Sequence, residues 1–177
     1  MITVGPNLPS TGASTSRGGF EGVAWTNPGN ITLNDGSLAT ASLSGSDDWS
    51  PYLKGTNFGF AIPTDSIIAG IKLEINRKNN GFAAKDDVVK LVKGGTVVGD
   101  NKASATSYPA SLTVENYGDS TDLWGTTWTY SDVNASDFGA VLSFTQNGFS
   151  SSSAAVDSFK ITVYYFEPSS GNQGFFF

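Results

Sequence analysis

An alternation of side chains between two faces in two long segments constrains the fold of this chain more than any other feature. In residues 67–77, Ala69, Ile71, Leu73 and Ile75 lie on one side of the predicted strand, and Lys72, Glu74 and Asn76 lie on the other. Residues 154–166 repeat the pattern with Phe159, Ile161, Val163 and Tyr165. A period of two is that of a β-strand with one buried face and one solvated face. Both segments are therefore predicted to be strands of antiparallel sheets that cover a common core.

Turn-forming residues divide the remaining chain into short pieces, since it contains 21 Gly and 7 Pro. Asn-, Asp- and Gly-rich clusters such as residues 27–30, 34–36 and 79–81 are typical of turns. Between the turns we predict further strands at Ser37–Leu43, Phe58–Ile62, Asp87–Lys93, Thr96–Val98, Leu112–Tyr117 and Phe138–Gln146. A single helical turn is expected at 131–137, capped by Ser131. This pattern predicts an all-β fold, an antiparallel jelly-roll β-sandwich.

The chain has 177 residues, which suits one β-sandwich. Residues 1–19 are rich in Gly, Ser, Thr and Pro and lack apolar periodicity, so they are predicted to form an extended N-terminal arm. Residues 20–168 are predicted to form the jelly-roll β-sandwich. Residues 169–177 are predicted to form a short C-terminal tail rich in Phe.

The composition excludes several kinds of chemistry. The chain has no His and no Cys, which removes the Ser-His-Asp triad, the cysteine nucleophile and the thiolate metal site. Glycoside hydrolysis, which needs only two carboxylates, stays open as a weaker alternative. A net charge of −6 with one adjacent basic pair argues against nucleic acid as a partner. We predict a non-enzymatic protein without a cofactor or metal.

No apolar run approaches the roughly 20 residues of a membrane span. The first residues also lack the charged and apolar regions of a secretory signal. We therefore expect no membrane partner and synthesis in a cytoplasm.

Four aspartates lie close together in the sequence, at Asp119, Asp122, Asp132 and Asp137. Carboxylates in loops are ligands that Ca²⁺ prefers, although the spacing does not match an EF-hand loop. Aspartates at turns and helix starts explain the same cluster. The turn-and-cap interpretation is preferred, and a Ca²⁺ site is the alternative.

Three tryptophans, Trp49, Trp124 and Trp128, are candidates for stacking against a glycan. Trp124 and Trp128 lie four residues apart, and Asp47 and Asp48 next to Trp49 offer acceptors for hydroxyl groups. The alternative is that these large rings fill the open ends of the sandwich.

The last three residues, Phe175, Phe176 and Phe177, are costly to leave in water. At about 25 cal/mol per Å², burying part of three rings contributes several kcal/mol. The tail is therefore a candidate partner-binding segment that docks into a neighbouring subunit. Folding back onto its own domain is the alternative.

Five strings together resemble a known group of proteins: WTNPGNITLNDGSLATASL from Trp25, NFGFAIP from Asn57, IIAGIKLEINRK from Ile67, YGDSTDLWGTTWTYSDVNASDFGAVLSF from Tyr117 and VDSFKITVYYF from Val156. The series is similar to β-sandwich modules of tailed phages, which include capsid decoration (cement) proteins and tail-fibre modules. The resemblance implies a jelly roll and a virion role, and it carries no catalytic residues.

The leading functional hypothesis is a non-enzymatic virion structural protein, most specifically a capsid decoration protein. It implies contacts with other virion proteins such as the major capsid protein, a homo-oligomer, for which a trimer is expected, and a virion location. The alternative is a carbohydrate-binding or tail-fibre receptor-binding module with a glycan as ligand.

Overall fold

A computed structural model describes residues 1–19, 21–45, 47–146 and 151–168. These residues contain ten strands, a 3-10 helix at Pro28–Thr32 and one α-helical turn, α1, at Tyr130–Asn134. The strands are β1 (Ile2–Asn7), β2 (Thr11–Thr15), β3 (Ala39–Leu43), β4 (Tyr52–Thr56), β5 (Ile67–Asn79), β6 (Ala84–Lys93), β7 (Thr96–Val98), β8 (Thr113–Tyr117), β9 (Gly139–Gln146) and β10 (Ser152–Phe166).

Two antiparallel sheets form the domain, so the predicted all-β jelly-roll sandwich is confirmed. The front sheet has the strand order β2-β4-β9-β6-β7. The back sheet has the order β1-β10-β5-β8, and β3 also pairs with β10. Among the described residues, no helix is long and apolar enough to cross a membrane.

The core lies between the sheets, and the two alternating segments supply much of it. Phe159, Ile161, Val163 and Tyr165 of β10 are buried, as predicted. In β5 the predicted buried face is correct from Ile71 to Ile75 but wrong at Ala69. A register shift opposite Tyr164 and Tyr165 turns Ile68 toward the core instead. A bulge adds one residue and inverts the faces beyond it.

The predicted N-terminal arm at residues 1–19 is wrong, because this segment contributes an edge strand to each sheet. β1 pairs with β10 of the back sheet, and β2 pairs with β4 of the front sheet. The chain changes sheets between Asn7 and Thr11, and Pro9 is buried at this crossing. Edge strands gain main-chain hydrogen bonds from one neighbour and bury few side chains, so they need no apolar alternation.

Two further local predictions need correction. Phe58, Phe60 and Ile62 are buried, but their segment is not a strand, since Asn57 and Gly59 both adopt positive φ.

The helical turn starts earlier than predicted. Thr129 is its N-cap, not Ser131, and Thr129 and Asp132 form a capping box in which each side chain accepts from the other residue's backbone N–H.

A buried polar cluster joins the two sheets at one end of the core. At its centre are Arg77 and Asp86, which we call the core ion pair. Arg77 of β5 and Asp86 of β6 are almost fully buried, with Arg77 Nη2 lying 3.3 Å from Asp86 Oδ2. Tyr108 and Tyr117 each donate a hydrogen bond of 2.7 Å to this carboxylate. The guanidinium also lies 3.9 Å from the centroid of the Tyr108 ring.

Candidate binding face

Two of the three tryptophans proposed for ligand stacking are in the core. Trp124 is fully buried and Trp128 is 7% exposed. Trp124 Nε1 donates to the Ile71 carbonyl at 2.8 Å, and Trp128 Nε1 donates to the Leu123 carbonyl at 3.0 Å. Stacking by Trp124 and Trp128 is therefore wrong as a prediction, since burial leaves their rings no free face for a sugar.

The aspartate cluster serves turns, a helix start and ion pairs. Asp119 accepts hydrogen bonds from the backbone and hydroxyl of Thr121, and these bonds hold its pKa below the usual value. Asp122 pairs with Lys102, with 2.7 Å between their charged atoms. Within the described ranges, no group of three or more acidic residues is arranged to hold a metal ion. The cluster thus fits the turn-and-cap interpretation.

Trp49 differs from the other two tryptophans because it lies on the outer surface of the front sheet, where it is half-buried. It bridges to Thr145 of β9, and Thr145 pairs in turn with Lys85 of β6. Partners in an antiparallel sheet share a face. Trp49, Thr145 and Lys85 therefore form one row across the outer surface of the front sheet. We call this whole outer surface the front face.

Arg17 lies on the front face between two aromatic rings. Its guanidinium carbon is 5.0 Å from the ring centroid of Trp49 and 5.1 Å from that of Tyr52. Its Nη1 forms an ion pair with Asp87 and donates to Ser143 Oγ at 2.7 Å. We call these five residues the Arg17 cluster.

The segment after β2 holds Arg17 against the sheet. Glu21 accepts hydrogen bonds from Ser16 Oγ and from the Arg17 backbone N–H, which lower the pKa of its carboxyl. Gly19 has a φ of +76°, and a Cβ at this position would lie 2.8 Å from Trp49 Cζ2. A glycine is therefore needed where the backbone approaches this ring.

Beyond the Arg17 cluster, the front face is basic above an apolar floor. Lys54 of β4 and Lys90 of β6 both pair with Val141 of β9, one on each side. Val141 is fully buried and packs with Val88 and Val92, although all three point away from the main core. Lysine stems and the Tyr52 ring can shield such a floor while their polar ends stay in water.

Sequence reasoning found the aromatic group of Trp49 and Tyr52 but missed Arg17 and Asp87. The notable residue is Arg17, which is separated from its partner Asp87 by 70 positions. It lies in a segment predicted to be an arm, so no local pattern connected it with the sheet. No enclosed pocket is present among the described residues, and the Arg17 cluster lies on an open surface.

No protein-family model and no curated protein matches this chain. Among solved structures, the chain is similar to a CBM4 carbohydrate-binding module, with 11% identity, a TM-score of 0.43 and coverage of 86% of this chain and 94% of that one. The xylan-binding module CBM15 aligns with 10% identity, a TM-score of 0.37 and coverage of 92% and 95%. The CBM22-1 xylan-binding domain from Paenibacillus barcinonensis Xyn10C aligns with 12% identity and a TM-score of 0.37, and the alignment covers 90% of this chain and 97% of that one. At these scores the matches assign no ligand to the chain.

The comparisons give no support for a phage or virion family. The tail residues Phe175, Phe176 and Phe177 lie outside the described residues. Contacts with virion proteins, a trimeric assembly and a virion location therefore stay predictions.

Proposed function

We propose that the protein is a non-catalytic module that binds a carbohydrate on its front face. The alternative function from the sequence thus replaces capsid decoration as the leading hypothesis. The observation that carries the proposal is the half-buried pair of rings, Trp49 and Tyr52, held on an open sheet surface by Arg17.

Aromatic rings suit sugars because they offer a large, rigid and weakly polar surface to the C–H faces of a pyranose ring. Side chains that are fixed before binding also lose less conformational freedom when the ligand arrives. Arg17 supplies this fixation, since it contacts both rings and is itself held by Asp87 and Ser143.

Hydroxyl-binding groups surround the rings. Thr145 and Lys85 lie in the same row as Trp49, and Asp48 is exposed directly next to it. These groups provide donors and acceptors for sugar hydroxyls at the edges of the aromatic surface. An open face with rings at its centre and polar groups around them fits a polysaccharide chain that lies across the sheet.

The test is affinity electrophoresis of the full chain through gels that contain soluble neutral or acidic polysaccharides. Trp49→Ala and Tyr52→Ala should each weaken binding by about twofold to tenfold, because an aromatic contact contributes roughly 0.5–1.5 kcal/mol. Phe166→Ala is the matched control, because Phe166 is 48% exposed on the back sheet.

Circular dichroism and thermal unfolding would establish that each variant is folded. Retention of full affinity by folded Trp49→Ala, or migration unaffected by every polysaccharide, would overturn the proposal.

A further inference from the structure

We propose that the carbohydrate is an acidic polysaccharide whose carboxylates bind at Lys54 and Lys90. This inference rests on the proposed function and specifies the class of ligand. It is carried by the charge of the front face, which differs in sign from that of the chain as a whole.

The whole chain has a net charge of −6, with 10 basic and 16 acidic residues. On the strands of the front sheet, the register turns Lys54, Lys85 and Lys90 outward, beside Arg17. Asp87 is the single carboxylate at the outward positions of these described strands, and Arg17 already neutralises it. The front face is thus a basic surface on an acidic protein.

The outward lysines are available for a ligand. Among the described residues, Lys54, Lys85 and Lys90 form no ion pair with a carboxylate, whereas Lys72, Lys93 and Lys102 each do. The Lys54 ammonium donates to the Gly95 carbonyl at 3.2 Å, which leaves two of its three protons free.

Lys54 and Lys90 lie opposite each other across a single strand. Both pair with Val141, so about 10 Å, or two strand spacings, separates their backbones. Their long stems allow the two ammonium groups to approach one anionic group above the apolar floor. Lys54 follows Tyr52 by two residues on the same face, so a chain that stacks on Tyr52 continues over this lysine pair.

Carboxylates at one edge of the front face favour one direction for the bound polysaccharide. Glu21, Asp47 and Asp48 flank the Trp49 end of the face, and Asp48 is exposed. Glu21 and Asp47 are already hydrogen-bonded, by Ser16 and Ser44 respectively. An acidic sugar is repelled more strongly at this end than at the Lys54 end, where one exposed carboxylate, Asp137, lies beside Gly95. Uncharged parts of the chain therefore fit at Trp49, and charged residues fit at the lysine pair.

The experiment compares polygalacturonate with neutral xylan by isothermal titration calorimetry, using the full chain in 50 mM and 500 mM NaCl. Polygalacturonate should bind more tightly than xylan, and high salt should weaken it by about tenfold, because exposed charge pairs are screened at that ionic strength. The double variant Lys54→Ala/Lys90→Ala should weaken polygalacturonate binding by about fivefold to tenfold and leave any xylan binding unchanged.

The control is Lys78→Ala/Lys160→Ala, which removes two half-buried lysines from the outer side of the back sheet. Neither lysine forms an ion pair within the described part of the chain. It should bind polygalacturonate as the unmodified chain does. If this control loses as much affinity as the front-face variant, general charge is responsible and the inference is overturned.

The remaining outcomes separate the two proposals. Binding of xylan that depends on Trp49, without binding of polygalacturonate, overturns the inference and leaves the proposed function standing. Failure of both polysaccharides to bind overturns the inference, and it overturns the proposed function as well when every other polysaccharide in the gels also leaves migration unaffected. Binding of oligo(dT) as tightly as polygalacturonate, without dependence on Trp49, identifies a nucleic-acid surface and overturns both.

Discussion

Two adjacent residues of β6, Asp86 and Asp87, hold two arginines on opposite sides of the front sheet. A register shift between Asp86 and Val88 separates them, so Asp86 points into the core and Asp87 points outward. Asp86 pairs with Arg77, and Asp87 pairs with Arg17. Each arginine also lies on an aromatic ring.

The two pairs contain the same chemical groups but differ in their access to water. The side chains of Arg77 and Asp86 are 2% and 0% exposed, whereas those of Arg17 and Asp87 are 16% and 31% exposed. A buried charge depends on its partner because water cannot replace that partner. The comparison predicts that burial, more than contact chemistry, determines how strongly the fold depends on each pair and which pair is accessible to a ligand.

The sharpest way to break this comparison is Asp86→Ala. The substitution removes the buried carboxylate beside Arg77 and leaves the more distant Glu115, which lies 3.8 Å from Nη2 and is 40% exposed. It also removes the acceptor of Tyr108 and Tyr117. We expect a loss of about 3–5 kcal/mol in the free energy of unfolding, or failure to fold. Urea unfolding followed by tryptophan fluorescence measures the loss. A loss below about 1 kcal/mol would show that burial does not set the role of this pair.

The second-largest effect is expected at alkaline pH, through Tyr108 and Tyr117, which donate to the core ion pair. Burial, and then the neighbouring Asp86 carboxylate, raise the pKa of Tyr108 and of Tyr117 above the usual range. The contribution of the two protonated phenols to the free energy of unfolding is therefore complete below the unfolded-state tyrosine pKa of about 10. It is lost as the pH rises above that value. Each phenol should lower the free energy of unfolding by up to about 1.4 kcal/mol per pH unit.

Denaturant titrations between pH 8 and 11 test this dependence, and Tyr117→Phe should reduce the slope, because one of the two phenols is removed. An unchanged slope in that variant would contradict the assignment.

The smallest effect is expected at the outer pair. Asp87→Ala removes a partially exposed partner of Arg17, so the free energy of unfolding should fall by only about 0.2–1 kcal/mol. The same urea experiment provides the value, and Asp86→Ala is its matched comparison. A loss as large as that of Asp86→Ala would mean that the Arg17 cluster is part of the structural framework.

The strands that bury side chains on a regular face were predictable from the sequence. The alternation from Ile71 to Ile75 and from Phe159 to Tyr165 identified two strands, and the structure pairs them at the centre of the back sheet. The edge strands β1 and β2 were not predictable, because their pairing uses main-chain groups that any residue other than proline carries.

The candidate site was predictable only in part, because tryptophans look alike in the sequence. Trp49 and Trp124 differ in the elements around them: Trp49 bridges to an outward-facing row, and Trp124 donates into the core. Arg17 reaches its position through pairing of β2 with β4. Such long-range placement depends on register, which composition and local spacing do not specify.

The partner of β1 in the back sheet is β10, the last strand of the described residues, and this has a consequence for synthesis of the protein. Ile2 pairs with Tyr165, so β1 leaves the ribosome long before its partner exists. Domains rich in such distant pairings fold slowly, and their unpaired edges invite aggregation in the meantime. Completion of the back sheet must therefore wait until β10 has emerged, and nascent chains truncated before that strand are the form in which aggregation is expected.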